Sequence, residues 1–220
     1  MQMAELSRRS RVPVATIKYY LREGLLPPGT ATSATRAEYG AEHLRRLRLI
    51  RALIEIGEIP VAAVRHILER VDDESVSLHD MFGAVQYSLG PQPSRPVLDA
   101  DGQAAGRDVD ELIAELGWKI SPDAPARALL VSTQAALRRA GAPPGVGLPA
   151  YAAAMAALAA KEVATMVPDA ARGGTGAGET KSRVELAESA VAAMVLHERV
   201  IVALHRLAQE DASARRYGGG

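Results

Sequence analysis

The sequence has 220 residues, no cysteine, and 26 basic residues balanced by 26 acidic ones. The length suits one large domain or two small ones, and the lack of cysteine excludes a disulfide framework and a thiolate metal site. Hydrophobic residues make up 48% of the chain but aromatic ones only 4%, so the core must consist largely of Ala, Leu, Val and Ile. Because Ala and Leu are strong helix formers, the composition predicts a mainly all-α protein.

The neutral total hides an uneven distribution of charge. Residues 1–70 hold 12 Lys and Arg against 7 Asp and Glu, whereas residues 71–220 hold 14 against 19. A basic N-terminal part joined to an acidic remainder is typical of a DNA-binding module attached to a different module. Ordinary fluctuation in surface charge is the alternative, but the change of sign falls where the motifs below also place a boundary.

The N-terminal segment predicts two short helices joined by a tight turn. Met3 to Arg9 is amphipathic, and Arg11-Val12-Pro13 follows as the connection. Pro13 fits the first turn of a second helix, and Gly24 fits its end, where a left-handed residue without a Cβ closes a helix easily. A helix, a turn of about three residues and a helix form the helix-turn-helix layout.

The second of these helices has two faces. Val14, Ile17 and Leu21 form an apolar stripe, which is typical of a helix packed on a core. The other face carries cations and a phenol, groups that suit base edges and phosphate oxygens in a major groove. The predicted DNA-binding residues here are Ala15, Thr16, Lys18, Tyr19, Tyr20 and Arg22, with Lys18 and Tyr19 reading the groove and Tyr20 also packed partly inward. A surface helix with a mixed polar face is the alternative.

Residues 24–39, rich in Pro, Gly, Thr and Ser, predict a two-stranded wing with an exposed tip. Arg36 and Tyr39 are predicted to hold the DNA backbone. A strong helix follows from Ala41 to Ile56, ended by Gly57, and a fourth begins at Pro60 and runs to Val71. On the third helix Arg45 and Arg48 are predicted to reach the backbone beside the wing, whereas Arg46 and Arg51 are interpreted as a solvated basic face.

Four groups of residues occur in a characteristic order. They are Thr16-Ile17-Lys18-Tyr19-Tyr20, then Gly24-Leu25-Leu26-Pro27-Pro28, then Arg36 with Tyr39, and then Glu42-His43-Leu44-Arg45-Arg46-Leu47. This series resembles the N-terminal domain of the MerR family of winged helix-turn-helix transcription regulators over roughly residues 2–71. The family's wing usually reads Gly-Tyr-Arg-x-Tyr, whereas the present wing has Thr35 in place of the first Tyr and one extra residue between Arg36 and Tyr39.

The resemblance implies a homodimer that binds a twofold-symmetric promoter site in double-stranded DNA. It also implies activation by bending and untwisting promoters with over-long spacers, with RNA polymerase as a partner. Family members that sense mercury, copper, zinc or an oxidised iron–sulfur centre rely on cysteine ligands. The resemblance therefore implies that this chain, which has no cysteine, lies outside those branches.

The sequence divides into three predicted segments, with an acidic break at Asp72-Asp73-Glu74. Residues 1–71 form a DNA-binding domain, residues 72–106 a connecting helix and a Pro/Gly-rich linker, and residues 107–220 a helical domain for effector binding, dimerisation or both. Ser77 and Asp80 form a capping box for the connecting helix, which Gly90-Pro91-Gln92-Pro93 ends. The later predicted helices are Asp108 to Leu116 with a capping box at Asp108 and Glu111, Asp123 to Ala140, Leu148 to Val167, and Lys181 to Ala212. Residues 169–180 are glycine-rich and predicted to be mobile.

A possible effector site rests on a few aromatic residues. Phe82, Tyr87, Trp118 and Tyr151 are candidate ligand-binding residues, because apolar pockets with a few polar groups favour aromatic side chains. For Trp118, which follows Gly117 between two predicted helices, a core plug at the helix junction is the favoured alternative.

Catalytic and metal-binding motifs are missing from the sequence. His197-Glu198 begins a zinc-protease motif, but position 201 is Ile rather than the second His. No nucleophile–base pair is evident, and we predict no enzyme activity, no cofactor and no metal. The chain opens directly on the first helix and has no apolar run of ~20 residues, so we expect a cytoplasmic protein that does not bind membranes.

The sequence therefore predicts a homodimeric, sequence-specific DNA-binding regulator of transcription, whose helical C-terminal domain senses a small-molecule effector or acts through dimer geometry. The alternative is an effector-independent architectural protein whose C-terminal half only dimerises or docks a partner.

Overall fold

The computed structural model describes residues 1–33, 36–89, 99–143, 145–166 and 182–218. The helices are α1 (Met3–Ser10), α2 (Val14–Arg22), α3 (Ala41–Arg51), α4 (Val61–Asp72), α5 (Leu78–Leu89), α6 (Ala100–Glu115), α7 (Pro125–Arg139), α8 (Leu148–Met166) and α9 (Arg183–Tyr217). The strands are β1 (Thr30–Ser33) and β2 (Arg36–Glu38), which pair antiparallel. This mainly helical fold with a small two-stranded sheet confirms the predicted fold class.

The helix-turn-helix is held by short polar contacts and by buried aliphatic side chains. Arg11 ends α1 in the left-handed conformation with φ 57°, and Ser7 Oγ donates to the carbonyl of Val12 at 2.6 Å. Pro13 directly precedes the first residue of α2 as its N-cap, one position earlier than the first helical turn. Leu6 of α1 and Ile17 of α2 have no exposed surface, so the two helices share one core.

Gly24 ends the second helix with φ +73°, as the sequence predicts. The amide of Leu25 then donates to the carbonyl of Tyr20 at 2.9 Å, and Leu25 and Leu26 are both buried. This anchors the chain before it enters the wing. The wing strands are exposed except for the half-buried Ala37, and the predicted tip at residues 34–35 lies outside the described residues.

The third helix changes its winding near its end. α3 continues into a π-helical turn, Ala52–Ile56, in which the amide of Gly57 donates to the carbonyl of Ala52 at 2.9 Å. A Cβ on Gly57 would lie 2.5 Å from Cγ1 of Val195 and 2.7 Å from the carbonyl of Leu53. Gly57 therefore ends the helix, as predicted, and also allows α9 to approach closely.

The connecting helix α5 begins directly after Ser77, the first residue of its predicted capping box. The amide of Asp80 donates to Ser77 Oγ at 3.1 Å, and the Ser77 hydroxyl donates to Asp80 Oδ2 at 2.7 Å. The stop predicted at residues 90–93 lies outside the described residues, as do residues 169–180 and the two final glycines.

The helix predicted to begin at Asp108 begins eight residues earlier. Asp99 is the N-cap of α6 and accepts from the amide of Gly102 at 2.8 Å, so residues 100–106 are helical rather than linker. Of the glycines that suggested a loop, Gly102 is buried in the first turn of α6, a helix that packs on α7. Three ion pairs also join these two helices: Asp99 with Arg139, Asp108 with Arg138, and Asp110 with Arg127.

The chain forms two compact units, Met1–Ala84 with Gly173–Gly220, and Val85–Arg172. Contacts thus group α9 with the N-terminal domain, where it packs on α3, the π-helical turn and α4. This grouping differs from the predicted segment of residues 107–220, because the partners of α9 are distant in the sequence. The functional division into DNA-binding, connecting and effector segments stays a prediction. Among the described residues, none of the helices has the length and apolar character needed to cross a bilayer.

Candidate nucleic-acid interface

The outer face of α2 is formed by the residues that the sequence assigns to DNA. Ala15, Lys18, Tyr19 and Arg22 are exposed, and Thr16 is partly exposed. Ile17 is fully buried on the other side and fixes the rotation of the helix about its axis. The result is a continuous surface with two cations, a phenol and a methyl group, which are the groups that contact phosphates, base edges and thymine methyls.

Two tyrosines that the sequence assigns to DNA contacts are almost fully buried. Tyr20 is 5% and Tyr39 7% exposed, because aromatic rings contribute a large apolar area to burial. Burial, followed by the charge of Glu55, raises the pKa of Tyr20. Tyr39 packs edge-on against His43 with ring centroids 5.1 Å apart, and its amide donates to the carbonyl of Met1 at 2.9 Å. The structure therefore places both rings in the core, and contact of either tyrosine with DNA stays a prediction.

His43, which the sequence analysis did not single out, joins α3 to both ends of the wing. Its Nδ1 accepts from the amide of Gly40 at 3.0 Å, and its Nε2 lies 3.4 Å from the carbonyl of Pro28. The same Nδ1 also lies 2.9 Å from Oε1 of Glu42. The two ends of the wing also pass close to each other, since a Cβ on Gly29 would lie 2.7 Å from the carbonyl oxygen of Glu38. The wing is therefore fixed at its base.

The wing itself presents Arg36 to solvent. The strands pair Thr30 with Glu38 and Ser33 with Arg36, and the register shifts between Ala31 and Ser33. The shift places an additional residue, Thr32, in β1, whereas the residue that exceeds the family pattern lies between Arg36 and Tyr39 on the other side of the hairpin.

The arginines of α3 have different environments. Arg48 is exposed, as predicted for a backbone contact. Arg45 is half-buried, and its guanidinium lies 2.9 Å from Glu185 and 3.7 Å from Glu188, both on α9. The structure therefore directs Arg45 towards α9, and its predicted contact with DNA stays a prediction.

The expectation that Arg46 and Arg51 form a solvated face is wrong for Arg46. Arg46 is 6% exposed; its Nε donates to Glu188 Oε1 at 2.7 Å, and its two terminal nitrogens bond both carboxylate oxygens of Asp72. Burial alone would lower the pKa of Arg46, but the bonds to Asp72 and Glu188 outweigh it and the pKa is raised. Arg51 is half-buried and donates to Glu55 at 2.7 Å and to the carbonyl of Ser10 at 3.3 Å. Arg46 therefore joins α3 to α4 and α9, whereas Arg51 links α3 to the end of α1 through its bond to Ser10.

Comparison with known proteins agrees with this geometry. Residues 1–71 match the family model described as MerR HTH family regulatory protein. A curated relative, the HTH-type transcriptional regulator ZntR homolog of Haemophilus influenzae, is 40% identical over 50 residues, which span 23% of this chain and 37% of that protein. The crystal structure of SCO5550 from Streptomyces coelicolor A3(2), described as a candidate transcriptional regulator, is 43% identical. Its TM-score is 0.74, and the match covers 100% of this chain and 99% of that one.

The chain belongs to the MerR family.

As a MerR-family protein it is a DNA-binding regulator of transcription, from a family of regulators rather than enzymes. The family model ends at residue 71, at the end of α4 and at the acidic break in the sequence. Within that range lie α2, the wing and α3, which carry all ten predicted DNA-binding residues.

The four aromatic residues proposed to bind an effector of this MerR-family protein do not all belong to one unit. Phe82 lies in the first unit and is half-buried, whereas Tyr87, Trp118 and Tyr151 lie in the second. Trp118 is 38% exposed, so the favoured interpretation as a core plug is wrong. Its amide, which follows Gly117, donates to the carbonyl of Ile113 at 3.2 Å. This bond ends the helix and leaves the indole at the surface. Ligand binding by these residues stays a prediction.

Proposed function

We propose that this protein is a homodimer that binds a twofold-symmetric promoter site with α2 in the major groove. The observation that carries the proposal is the exposed surface of Ala15, Lys18, Tyr19 and Arg22, backed by the buried Ile17. Lys18 and Tyr19 read base edges, while Thr16 and Arg22 contact phosphates that set the register of the helix. The symmetry of the site follows from the symmetry of the dimer.

Arg36 on the wing and Arg48 on α3 extend the phosphate contacts beyond the groove. Both side chains are exposed, and their elements are held at the wing base by His43. Together with Arg22 they supply three cations per protomer and six per dimer. Tyr20 and Tyr39 support this surface through packing.

Promoter distortion is the proposed mechanism. Each protomer contributes one DNA-binding head, residues 1–71. Two heads that contact successive grooves can bend and untwist the DNA between them, at a cost of several kcal/mol that the added contacts offset. The distorted promoter is then presented to RNA polymerase in the cytoplasm.

The distal part of α9, from Val200 to the end of the helix, supports self-association. Val200, Leu204 and Leu207 recur at helical spacing and are 50%, 60% and 61% exposed. Exposed apolar side chains in a stripe typically mark a protein-binding surface, and a second copy of the chain is the proposed occupant.

The second unit is proposed to bias the distortion through a small-molecule effector that contacts Tyr87, Trp118 and Tyr151. An effector-independent architectural role is the second candidate, and the exposure of these three rings, between 38% and 46%, favours it over a closed pocket. Thermal shift assays with hydrophobic metabolites discriminate the two: a raised transition temperature supports a sensor, and no shift supports the architectural role.

Fluorescence anisotropy tests DNA binding itself. We expect the purified protein to bind a duplex from the upstream region of its own gene more tightly than a scrambled duplex. With six phosphate contacts per dimer, affinity should fall roughly a thousandfold between about 50 and 200 mM salt. A flat salt response would contradict the proposed basic interface.

A further inference from the structure

The contact between α3 and α9 contains an inner and an outer ion pair. In the inner pair, the Arg46 and Glu188 side chains are only 7% and 8% exposed. In the outer pair, Arg45 and Glu185 are 37% and 27% exposed at 2.9 Å. Ion pairs that solvent reaches contribute little to stability. The inner pair therefore fixes α9 on α3, while the outer pair can open without unfolding the contact.

Arg45 is loosely held by its second carboxylate neighbour. Its Nε lies 3.7 Å from Glu188 Oε2, and neither atom has a hydrogen-bond partner among the described residues. The other oxygen of Glu188 is already bonded to Arg46. Glu185 therefore supplies the main restraint on Arg45.

Arg45 also lies on the same side of α3 as the exposed Arg48. Residues three apart on a helix are neighbours on its surface, and this surface begins directly after the wing. An Arg45 side chain released from Glu185 would thus lie beside Arg48 on one basic surface of α3.

We propose that Glu185 is a positioning residue that competes with a DNA phosphate for Arg45 and so limits the affinity of the head for DNA. The inference rests on the proposed function, since it requires the α2, wing and α3 surface to meet DNA. An arginine already neutralised by its own carboxylate releases fewer counterions when it meets a phosphate. Removal of that carboxylate should therefore raise both the affinity and its dependence on salt.

Glu185→Gln in the full chain is the direct test. Glu185 Oε2 accepts from the amide of Ser182 at 2.8 Å, in the capping box that begins α9. Glutamine fills this position of a capping box equally well, so α9 should keep its start. Anisotropy with the upstream and scrambled duplexes, between about 50 and 200 mM salt, should give a plot of log affinity against log salt that is steeper by about 1 to 2 for a dimer with two released arginines. At about 100 mM salt, we expect affinity to rise roughly tenfold.

Two sets of variants separate this effect from a general change in charge. Glu198→Gln removes one negative charge from the exposed side of the same helix and should leave the slope unchanged. Arg45→Gln should lower wild-type affinity only slightly, but it should abolish the gain in the Glu185→Gln background. Thermal unfolding of each variant checks that the fold is kept.

The inference is overturned if Glu185→Gln binds with the wild-type slope, or if its gain persists in the double variant with Arg45→Gln. The proposed function fails separately, if the wild-type chain binds neither duplex or binds without any dependence on salt. In that case the inference fails with it, because Arg45 would have no phosphate to meet.

Discussion

At the scale of single residues, buried side chains fix the orientation of α2, while Lys18 on its surface is exposed to solvent. Ile17 and Tyr20 are buried on either side of Lys18 in the sequence, so the helix cannot rotate to hide the lysine. Lys18 can therefore reach base edges or phosphates without any rearrangement of the head.

We expect Lys18→Ala to weaken binding to the cognate duplex roughly tenfold or more, the size of one good base or phosphate contact. The dimer should remain intact, because Lys18 is exposed and contributes nothing to the core. Anisotropy measures the affinity and sedimentation velocity the assembly.

The matched control for Lys18 is Lys161→Ala, which removes an exposed lysine from α8. Its affinity should equal that of the wild type. Equal losses in both variants would mean that only the total charge matters and that α2 is not the reading helix.

The sequence predicted the exposure of Ala15, Lys18, Tyr19 and Arg22 on α2 and missed the environments of residues whose partners are distant. The exposed face of α2 could be predicted because its positions repeat every turn. Arg46 was placed in solvent because Glu188, its partner, lies 142 residues away. Tyr39 was placed on DNA because a motif states the residue type but not the direction of the ring, which here packs on His43.

At the scale of elements, α9 is clamped to α3 and α4 by a buried guanidinium between two carboxylates. Asp72 at the end of α4 and Glu188 on α9 both bond Arg46. A second link comes from Arg183, whose guanidinium bonds the carbonyl of Val76. These contacts attach a C-terminal helix to the DNA-binding domain by charge as well as by apolar packing.

Glu188→Ala should lower the free energy of unfolding by about 2 to 3 kcal/mol. Loss of one partner from a fully buried pair costs roughly 3–5 kcal/mol, and the remaining bonds of Arg46 to Asp72 reduce the penalty. Urea unfolding followed by circular dichroism measures the change.

Two further variants test the origin of that loss. Glu198→Ala, an exposed carboxylate on the same helix, should change stability by less than about 0.5 kcal/mol. The double variant Arg46→Met with Glu188→Leu should recover most of the loss, because an apolar pair of similar volume leaves no buried charge. Wild-type stability of Glu188→Ala would show that the inner pair contributes nothing.

The element that the sequence misjudged most is α6. Its glycines suggested a linker, and the acid at Asp108 was chosen as the cap although Asp99 performs that role. Glycine is unfavourable in an isolated helix, yet α6 accommodates Gly102 and Gly106 because its contacts and ion pairs with α7 stabilise the helix as a whole. Propensity cannot reveal this gain because it depends on the neighbouring helix.

At the scale of the whole molecule, the proposed dimer depends on the distal part of α9. We expect Leu204→Glu with Leu207→Glu to raise the dimer dissociation constant roughly a hundredfold or more, since each leucine buried at an interface contributes about 1.5–3 kcal/mol. Sedimentation equilibrium measures the shift.

Val163→Glu is the control for that experiment, because Val163 is a similarly exposed apolar residue on α8. It should leave the dimer unchanged. A dimer that survives the double leucine variant would assign self-association to another surface.

The union of the first and last parts of the chain in one unit has a consequence for biosynthesis. Arg46 and Glu188 are separated by 142 residues, which a ribosome translates in roughly 7 to 28 s at about 5–20 residues per second. During that interval, the nascent DNA-binding head has emerged with its α9 contact surface uncovered. A chaperone can occupy this surface. A message cut short before the codon for Glu188 yields a head without the ion pair between Arg46 and Glu188. The later part of the message therefore contributes to the stability of the domain that the earlier part encodes.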